Sequence, residues 1–172
     1  MSNLIVFSGL PCTGKSTLAS AFGRMSGVPV LEKDVVEAGL WQSGVDKALN
    51  SGWIAYEVLT SLIQMFLRSE SSVAVVAVVP STRLRAQWRE IAELHGARFV
   101  VIECVCSDER EQQRRLDSRD RAIPGWPEID WEEVMRAKAA FEPWEGERLR
   151  VDAMTCVDAN IKSVVAYVAA GQ

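Results

Sequence analysis

The feature that most constrains this chain is the glycine-rich segment at residues 9–16, which directly follows a short apolar run at residues 4–7. The segment reads GLPCTGKS and fits the spacing G-x-x-x-x-G-K-[ST]. Its glycines let the backbone turn so that N–H groups surround an anion, and a helix that starts behind them points its positive end at the same place. The pattern therefore predicts a strand, a phosphate-binding loop (the P-loop) and a helix, in that order.

Residues of the P-loop have individual predicted roles. Lys15 can reach the β- and γ-phosphates of a bound nucleotide as a mobile positive charge, and the Ser16 hydroxyl is a ligand for Mg²⁺. Cys12 is interpreted as a small filler within the loop. The residues that we expect to bind the nucleotide are Gly9, Pro11, Cys12, Thr13, Gly14, Lys15, Ser16 and Thr17.

Apolar runs and helical periodicity alternate along the rest of the chain. The strands are predicted at residues 4–7, 28–31, 73–79, 98–106 and 149–152. The helices are predicted at residues 16–25, 35–42, 51–68, 82–95, 108–121, 131–141 and 158–170. This alternation predicts an α/β fold in which helices cover both faces of a parallel sheet, with the very apolar segment 73–79 as its central strand. Neither a linker nor a repeat interrupts the pattern, so we expect one domain over residues 1–172.

The composition argues against several classes of protein. A net charge of −4 and a pI of about 5.1 are unlike a general nucleic-acid binder, which usually carries a basic face. The apolar runs are shorter than the ~18 residues of a membrane span, and the N-terminus lacks the features of a signal peptide, so we expect a cytoplasmic protein. One histidine and four cysteines without a C-x-x-C pair argue against structural zinc. Cys104 and Cys106 are expected to pack on one face of a strand.

Asp34 is a second candidate site residue, because it follows the predicted strand at residues 28–31. In a parallel sheet this places it at the carboxyl edge, beside the phosphates. A carboxylate there can accept the proton of an attacking hydroxyl, or hold a water on Mg²⁺. The alternative is an N-cap for the helix at residues 35–42, and the two roles are compatible.

Five arginines lie within residues 110–121. Arg115 and Arg119 are four residues apart and are predicted to share a helix face, with Arg121 as the next candidate. Guanidinium groups suit the charge that develops on a transferring phosphoryl group. The alternative is a solvated helix whose arginines pair with the neighbouring acids Asp108, Glu109, Glu111, Asp117 and Asp120.

Together these residues resemble the small P-loop kinases that include the phage-type polynucleotide 5′-kinase domain, zeta toxins, chloramphenicol phosphotransferases and bacterial kinases of unassigned substrate. The resemblance implies a three-layer α/β/α P-loop fold like that of adenylate kinase, with a five-stranded parallel sheet and a small helical lid over about residues 108–130. It also implies Mg-ATP as the phosphate donor. The segments that carry the resemblance are residues 9–17, Asp34, 85–88, 114–119, 141–143 and 149–152.

The function that the resemblance implies is an ATP-dependent kinase that phosphorylates a hydroxyl group of a small molecule. Its catalytic residues would be Lys15, Asp34, Arg115 and Arg119, and its Mg²⁺ ligands would be Ser16 and Asp34. Arg115 and Arg119 would also bind the nucleotide, because in the family these arginines close over ATP as a lid. Two alternatives stay open: a polynucleotide 5′-hydroxyl kinase, and a nucleotide-binding regulator with little turnover. The sequence lacks the N-K-x-D motif with which GTPases read the base.

Two positions depart from the family pattern. Relatives often carry an acid in or just after the third strand, whereas residues 75–80 contain none. Support for the metal would then come from Ser16, the phosphates, waters and Asp34. Relatives also often have arginine at the position of Glu37. An acid there would repel a phosphorylated acceptor, so a neutral or cationic acceptor is expected.

Overall fold

Five parallel strands form one sheet in the order β2-β3-β1-β4-β5, within the residues that the structure describes. The structure is a computed structural model, and it describes residues 1–119, 123–124 and 126–170. The strands are β1 (Asn3–Ser8), β2 (Val30–Glu32), β3 (Val73–Val76), β4 (Arg98–Val105) and β5 (Leu149–Asp152). The α/β fold expected from the alternating pattern is therefore confirmed.

Helices follow each strand and cover the sheet on both faces. They are α1 (Lys15–Ser26), α2 (Lys33–Gln42), α3 (Ser51–Arg68), α4 (Thr82–Leu94), α5 (Glu109–Asp117), α6 (Trp131–Ala140) and α7 (Val157–Ala169), with a 3₁₀ turn at Lys47–Leu49. No helix of the described part of the chain combines the length and hydropathy needed to cross a membrane.

The strand β1 lies in the middle of the sheet and is buried on both faces. Leu4 and Val6 pack on the side of α3 and α4, while Ile5 and Phe7 pack on the side of α1 and α7, because successive side chains point to opposite faces. The prediction that the segment 73–79 forms the central strand is wrong, since β3 lies between β2 and β1. An apolar sequence indicates that a strand is buried. Since β1 and β3 are both buried, their apolar sequences could not show which of the two lies in the middle of the sheet.

The strand β3 also ends earlier than predicted. It stops at Val76, and the next three residues leave the sheet while staying apolar and largely buried. Val79 has a φ of 49°, which is unusual for a β-branched residue. Its N–H donates to Tyr56 Oη at 3.1 Å, and its carbonyl accepts a bond from Arg85 Nε at 3.0 Å. Two long side chains thus hold this turn beside the P-loop.

Three local predictions need correction. The helix α2 begins at Lys33, so Asp34 lies in its first turn and is not its N-cap. For the helix predicted at residues 108–121 the expected N-cap is Ser107, but the N-cap of α5 is Asp108, whose Oδ1 accepts the N–H groups of residues 110 and 111. Because α5 ends at residue 117, Arg119 lies beyond the helix and shares no helix face with Arg115.

The cysteines are all free thiols, and only part of their predicted placement is confirmed. Cys104 is buried in β4, and burial raises the pKa of its thiol to about 12. Cys106 follows the end of β4 and is partly exposed, with its sulfur 3.2 Å from the carbonyl oxygen of Asp108. The expectation that both cysteines pack on one strand face is therefore wrong for Cys106.

Candidate active site

The P-loop connects β1 to α1 at the carboxyl edge of the sheet. Gly9 and Gly14 have φ values of 143° and 82°, in the region that favours glycine. A Cβ atom on Gly9 would lie 2.0 Å from the carbonyl oxygen of Cys104 in β4, so the loop runs directly against the neighbouring strand. Cys12 also has a positive φ, of 63°, at the apex of the loop. At Gly9 and Gly14 the predicted phosphate-binding turn thus has a backbone conformation that residues with a side chain could adopt only with strain.

Two side chains of the P-loop fold back onto its own backbone. Thr13 Oγ1 and Lys15 Nζ both donate to the carbonyl oxygen of Leu10, at 2.8 and 2.6 Å. The Lys15 ammonium therefore contacts the backbone of the loop, and Lys15 also lines a cavity at the loop.

An acid that the sequence reasoning missed lies next to Ser16. Glu32 is the last residue of β2, and its Oε2 accepts a hydrogen bond from Ser16 Oγ at 3.1 Å. Asp34 follows two residues later and lines the same cavity. The sequence did contain a clue, because Glu32 directly follows the strand predicted at residues 28–31. Asp34 was expected at that position, at the carboxyl edge of the sheet.

The oxygens near Ser16 fit a magnesium ion that arrives with a nucleotide. Among the described residues, no three His, Cys, Asp or Glu side chains form a group that could hold a metal by itself. Mg²⁺ prefers oxygen ligands, keeps several waters and often takes only one or two carboxylates besides phosphates. Ser16 and Glu32, with Asp34 beside them, match that requirement.

Two cavities meet at the P-loop. The first has a volume of about 350 Å³ and the second about 360 Å³. The first extends from the loop to the ends of β2 and β3 and to α6, and the second extends from the loop to the segment after β5. Both are lined by Cys12, Gly14, Thr17 and Arg119. Of the other predicted P-loop residues, Pro11, Lys15 and Ser16 line the first cavity, Thr13 lines the second, and Gly9 lies underneath against β4.

The arginines after β4 divide into two groups. Arg115 lines the second cavity, and its guanidinium donates to Glu111 Oε1 at 2.7 Å and to the carbonyl of Ala153 at 3.0 Å. Arg114 is exposed and also binds Glu111, so the two arginines lower the pKa of that carboxyl group to about 2. Arg114 and Arg115 thus pair with an acid of their own helix, as the alternative interpretation predicted. Arg115 also reaches the second cavity. Arg119 lines both cavities, and Arg121 lies outside the described residues.

Gln112 attaches α5 to the P-loop. Its side chain is buried, and Nε2 donates to the carbonyl oxygen of Pro11 at 2.7 Å. Sequence reasoning missed this residue because a glutamine in a highly charged helix looks like a solvated side chain.

Glu37 does not line either cavity, contrary to the expectation that it would face an acceptor. It is buried, accepts a hydrogen bond from Ser51 Oγ at 2.7 Å and forms an ion pair with Lys33. Its charge is therefore compensated within the protein. The prediction that Glu37 repels a phosphorylated acceptor loses its structural basis.

A stacked pair of tryptophans lies beside the first cavity. The rings of Trp41 and Trp126 have centroids 4.8 Å apart and planes inclined by 15°. Trp126 lines the cavity, and Lys33 Nζ lies 5.6 Å from the centroid of its ring. The stack joins α2 to the segment that precedes α6.

Comparison with known proteins places this site in context. The AAA_33 family model, described as an AAA domain, matches residues 4–144. Curated proteins provide no match to the sequence. A kinase candidate from Chloroflexus aurantiacus J-10-fl has a similar structure, with a TM-score of 0.77 and 20% identity over 96% of this chain and 98% of its own.

Two further solved structures are similar over nearly the whole chain. A gluconokinase from Sinorhizobium meliloti 1021 has a TM-score of 0.70 and 17% identity, over 98% of this chain and 91% of its own. The APS kinase CysC from Mycobacterium tuberculosis, solved in complex with AMPPNP and APS, has a TM-score of 0.68 and 20% identity, over 97% of both chains. At these identities the similarity establishes the fold.

Proposed function

The chain belongs to the AAA_33 family, and on that basis we propose that it is an ATP-dependent kinase that transfers the γ-phosphate of Mg-ATP to a hydroxyl group of a small molecule. One observation carries the proposal: Lys15, Ser16 and Asp34 line one cavity at the carboxyl edge of the sheet. A phosphate site and a carboxylate that can accept a proton are thus combined in a space of about 350 Å³. We further propose that residues 1–172 are one kinase domain with a lid at about residues 108–130.

The donor nucleotide would occupy the second cavity and the P-loop. Its base would lie near Ala153, Thr155 and Val157, and its phosphates would lie on the loop formed by residues 9–17. The similar APS kinase was solved in complex with AMPPNP, which supports a nucleotide as the ligand of this chain. Lys15 would then compensate the charge of the terminal phosphates.

Magnesium, when bound with the nucleotide, supplies positive charge that offsets the charge on the phosphate oxygens. Ser16 and Glu32 would hold it, and Asp34, which lines the same cavity, would orient one of its waters. Glu32 thereby takes the place of the acid that the segment after β3 lacks. This weighs against the alternative of a regulator that has lost turnover.

Asp34 is the proposed general base. Its Oδ1 lies 3.4 Å from Lys33 Nζ, and its side chain is 29% exposed, so a small acceptor can approach it from the cavity. It would accept the proton of the acceptor hydroxyl as the oxygen attacks the γ-phosphorus. Arg119, which lines both cavities, would stabilise the phosphoryl group in transfer, and Arg115 would act from the donor side.

The substitution Asp34→Asn tests this function. Phosphate transfer from ATP to a panel of small alcohols, and to an oligonucleotide with a free 5′-hydroxyl, should fall by about a hundredfold or more. The affinity for Mg-AMPPNP should stay near the wild-type value, because the base does not bind the donor. Lys15→Ala should abolish transfer. Asp158→Asn, in the exposed first turn of α7, is the matched control and should leave the rate unchanged.

Each alternative has a distinct outcome in this assay. Nucleotide binding with no transfer to any acceptor would favour the regulator. Transfer to the oligonucleotide alone would favour the polynucleotide 5′-kinase. Wild-type transfer by Asp34→Asn would exclude Asp34 as the base.

A further inference from the structure

Six residues in the lining of the first cavity form a largely apolar wall. The wall is built from the end of β3, the segment before α6 and α6 itself: Val76, Ala77, Val78, Trp126, Ile129 and Ala137. Asp34 lies on the same lining, so a compound whose hydroxyl reaches it would rest its body against this wall. Apolar surface that leaves water on binding stabilises a complex in proportion to its area.

Two charged side chains in the lining of the first cavity, Lys33 and Glu133, already have partners in the protein. Lys33 forms ion pairs with Asp34 and with the buried Glu37. Glu133 completes the capping box of α6, where its Oε2 accepts the backbone N–H of Asp130 at 3.0 Å. An acceptor therefore gains more from the apolar wall than from a new ion pair.

Trp126 is held in this wall by a chain of side-chain contacts that leads into α2 and α3. Trp126 stacks on Trp41, and Trp41 Nε1 donates to Ser51 Oγ at 2.8 Å. Ser51 donates to Glu37, which pairs with Lys33, and the Lys33 ammonium returns to within 5.6 Å of the Trp126 ring centroid. We call Trp41, Ser51, Glu37 and Lys33 the Trp126 support.

The Trp126 support is a satisfied polar network, which explains why it can be buried. Glu37 and Ser51 are 6% and 4% exposed, and a buried carboxylate or hydroxyl without partners would be costly. Because each has hydrogen-bond or ion-pair partners, the network fixes one arrangement of its members. A backbone contact adds to it, since Gln42 Nε2 donates to the carbonyl of Pro124 at 2.7 Å. Contacts with α2 and α3 thus fix the position of Trp126, in addition to the segment before α6 to which it belongs.

We propose that Trp126 is a specificity-determining residue of the acceptor site, and that this site takes a compact hydroxyl compound with an apolar body rather than a phosphorylated one. The inference rests on the proposed function, because it names the class of acceptor for the same cavity. Trp41, Ser51, Glu37 and Lys33 are positioning residues that act through Trp126. The cavity volume of about 350 Å³, part of which the transferring phosphate needs, restricts the acceptor to a small molecule.

Three probes with one sugar core test the proposal: glucose, phenyl β-glucoside and glucose 6-phosphate. Their affinities are measured by calorimetry for the protein saturated with Mg-AMPPNP. Phenyl β-glucoside should bind at least about tenfold more tightly than glucose, because its ring adds apolar surface against the wall. Glucose 6-phosphate should bind no better than glucose.

Variants then assign the preference to Trp126. Trp126→Ala should reduce the preference for the phenyl compound by about tenfold, and Trp126→Phe should keep most of it. Ser51→Ala should reduce the preference in part while leaving AMPPNP affinity unchanged, a pattern that a general loss of stability would not produce. Trp53→Ala is the control, since Trp53 is 41% exposed on α3 and should change nothing.

The outcomes separate this inference from the proposed function. No measurable binding of the phenyl compound, tighter binding of glucose 6-phosphate, or an unchanged preference in Trp126→Ala would overturn the inference. If Trp126→Ala transfers phosphate at the wild-type rate, the inference is also overturned, but the kinase function remains supported. Preferential binding of the phenyl compound without phosphate transfer to any acceptor would instead overturn the kinase function and leave the acceptor-type site standing.

Discussion

Gly9 lies where the P-loop passes the backbone of β4, and there the residue type is decided by a neighbouring strand. The sequence pattern predicts a turn at this position, which a glycine suits for its own backbone freedom. The stronger reason is the 2.0 Å approach of a virtual Cβ to the Cys104 carbonyl oxygen. That contact joins residues far apart in the chain, so the local pattern could not reveal it.

We expect Gly9→Ala to destabilise the fold by about 2–4 kcal/mol, through backbone strain and a clash that no side-chain rotation can relieve. Urea denaturation measures the loss. Gly27→Ala is the matched control, because Gly27 has a φ of 72° but no atom within 4 Å of its virtual Cβ. It should cost only about 1 kcal/mol. Equal losses in the two variants would mean that the contact with β4 is unimportant.

At the scale of elements, helix and strand positions were predictable where periodicity and end signals agree. The bounds of α3 (Ser51–Arg68) and β5 (Leu149–Asp152) were predicted to the residue. The start of α5 was not, because Ser107 and Asp108 are both capping residues. In the folded chain the Ser107 N–H donates to Asp152 Oδ1 of the distant strand β5 at 3.2 Å, and the Asp108 side chain caps the helix.

The attachment of α5 to the P-loop leads to a prediction for nucleotide affinity. Gln112→Leu removes the bond to the Pro11 carbonyl but keeps a buried side chain of similar size, so α5 should lose its position relative to the loop. Because α5 carries Arg115 to the second cavity, we expect the Kd for Mg-AMPPNP to rise by about five- to tenfold.

The exposed neighbour provides the control for this experiment. Gln113→Leu makes the same chemical change on the solvent side of α5 and should leave the Kd unchanged. Calorimetric titration of both variants with Mg-AMPPNP measures the two Kd values. Equal affinities of Gln112→Leu and the wild type would show that the bond to Pro11 does not position the helix.

At the scale of the whole molecule, the sequence predicts the succession of elements but not their neighbours. The P-loop, Asp34 and the α/β class follow from local patterns. The strand order, the contact of Ser16 with Glu32 and the stack of Trp41 on Trp126 depend on where distant segments meet. Hydrophobic patterns report which residues are buried and carry little information about what they are buried against.

Arg85 shows how one side chain can join such distant segments. It is buried and donates to the backbone carbonyls of Val79, Pro80, Glu142 and Pro143. Its guanidinium carbon lies 4.1 Å from the ring centroid of Trp144, and Trp144 Nε1 donates to Ser8 Oγ at 3.0 Å. Burial lowers the pKa of Arg85 below its usual value, although the group stays far from titration at neutral pH. The residue links the turn after β3, the segment after α6 and the strand that leads into the P-loop.

We therefore expect Arg85→Lys to be far from conservative. A lysine ammonium has three donors on a flexible stem and cannot reproduce the planar fork, so several buried carbonyls would lose their partners. The free energy of unfolding should fall by about 3 kcal/mol and the Tm by roughly 6–10 °C. Arg83→Lys, two residues away on the exposed side of α4, should change the Tm by less than about 2 °C. If the two variants melt at the same temperature, the hydrogen bonds of the Arg85 guanidinium do not stabilise the segment at residues 142–144.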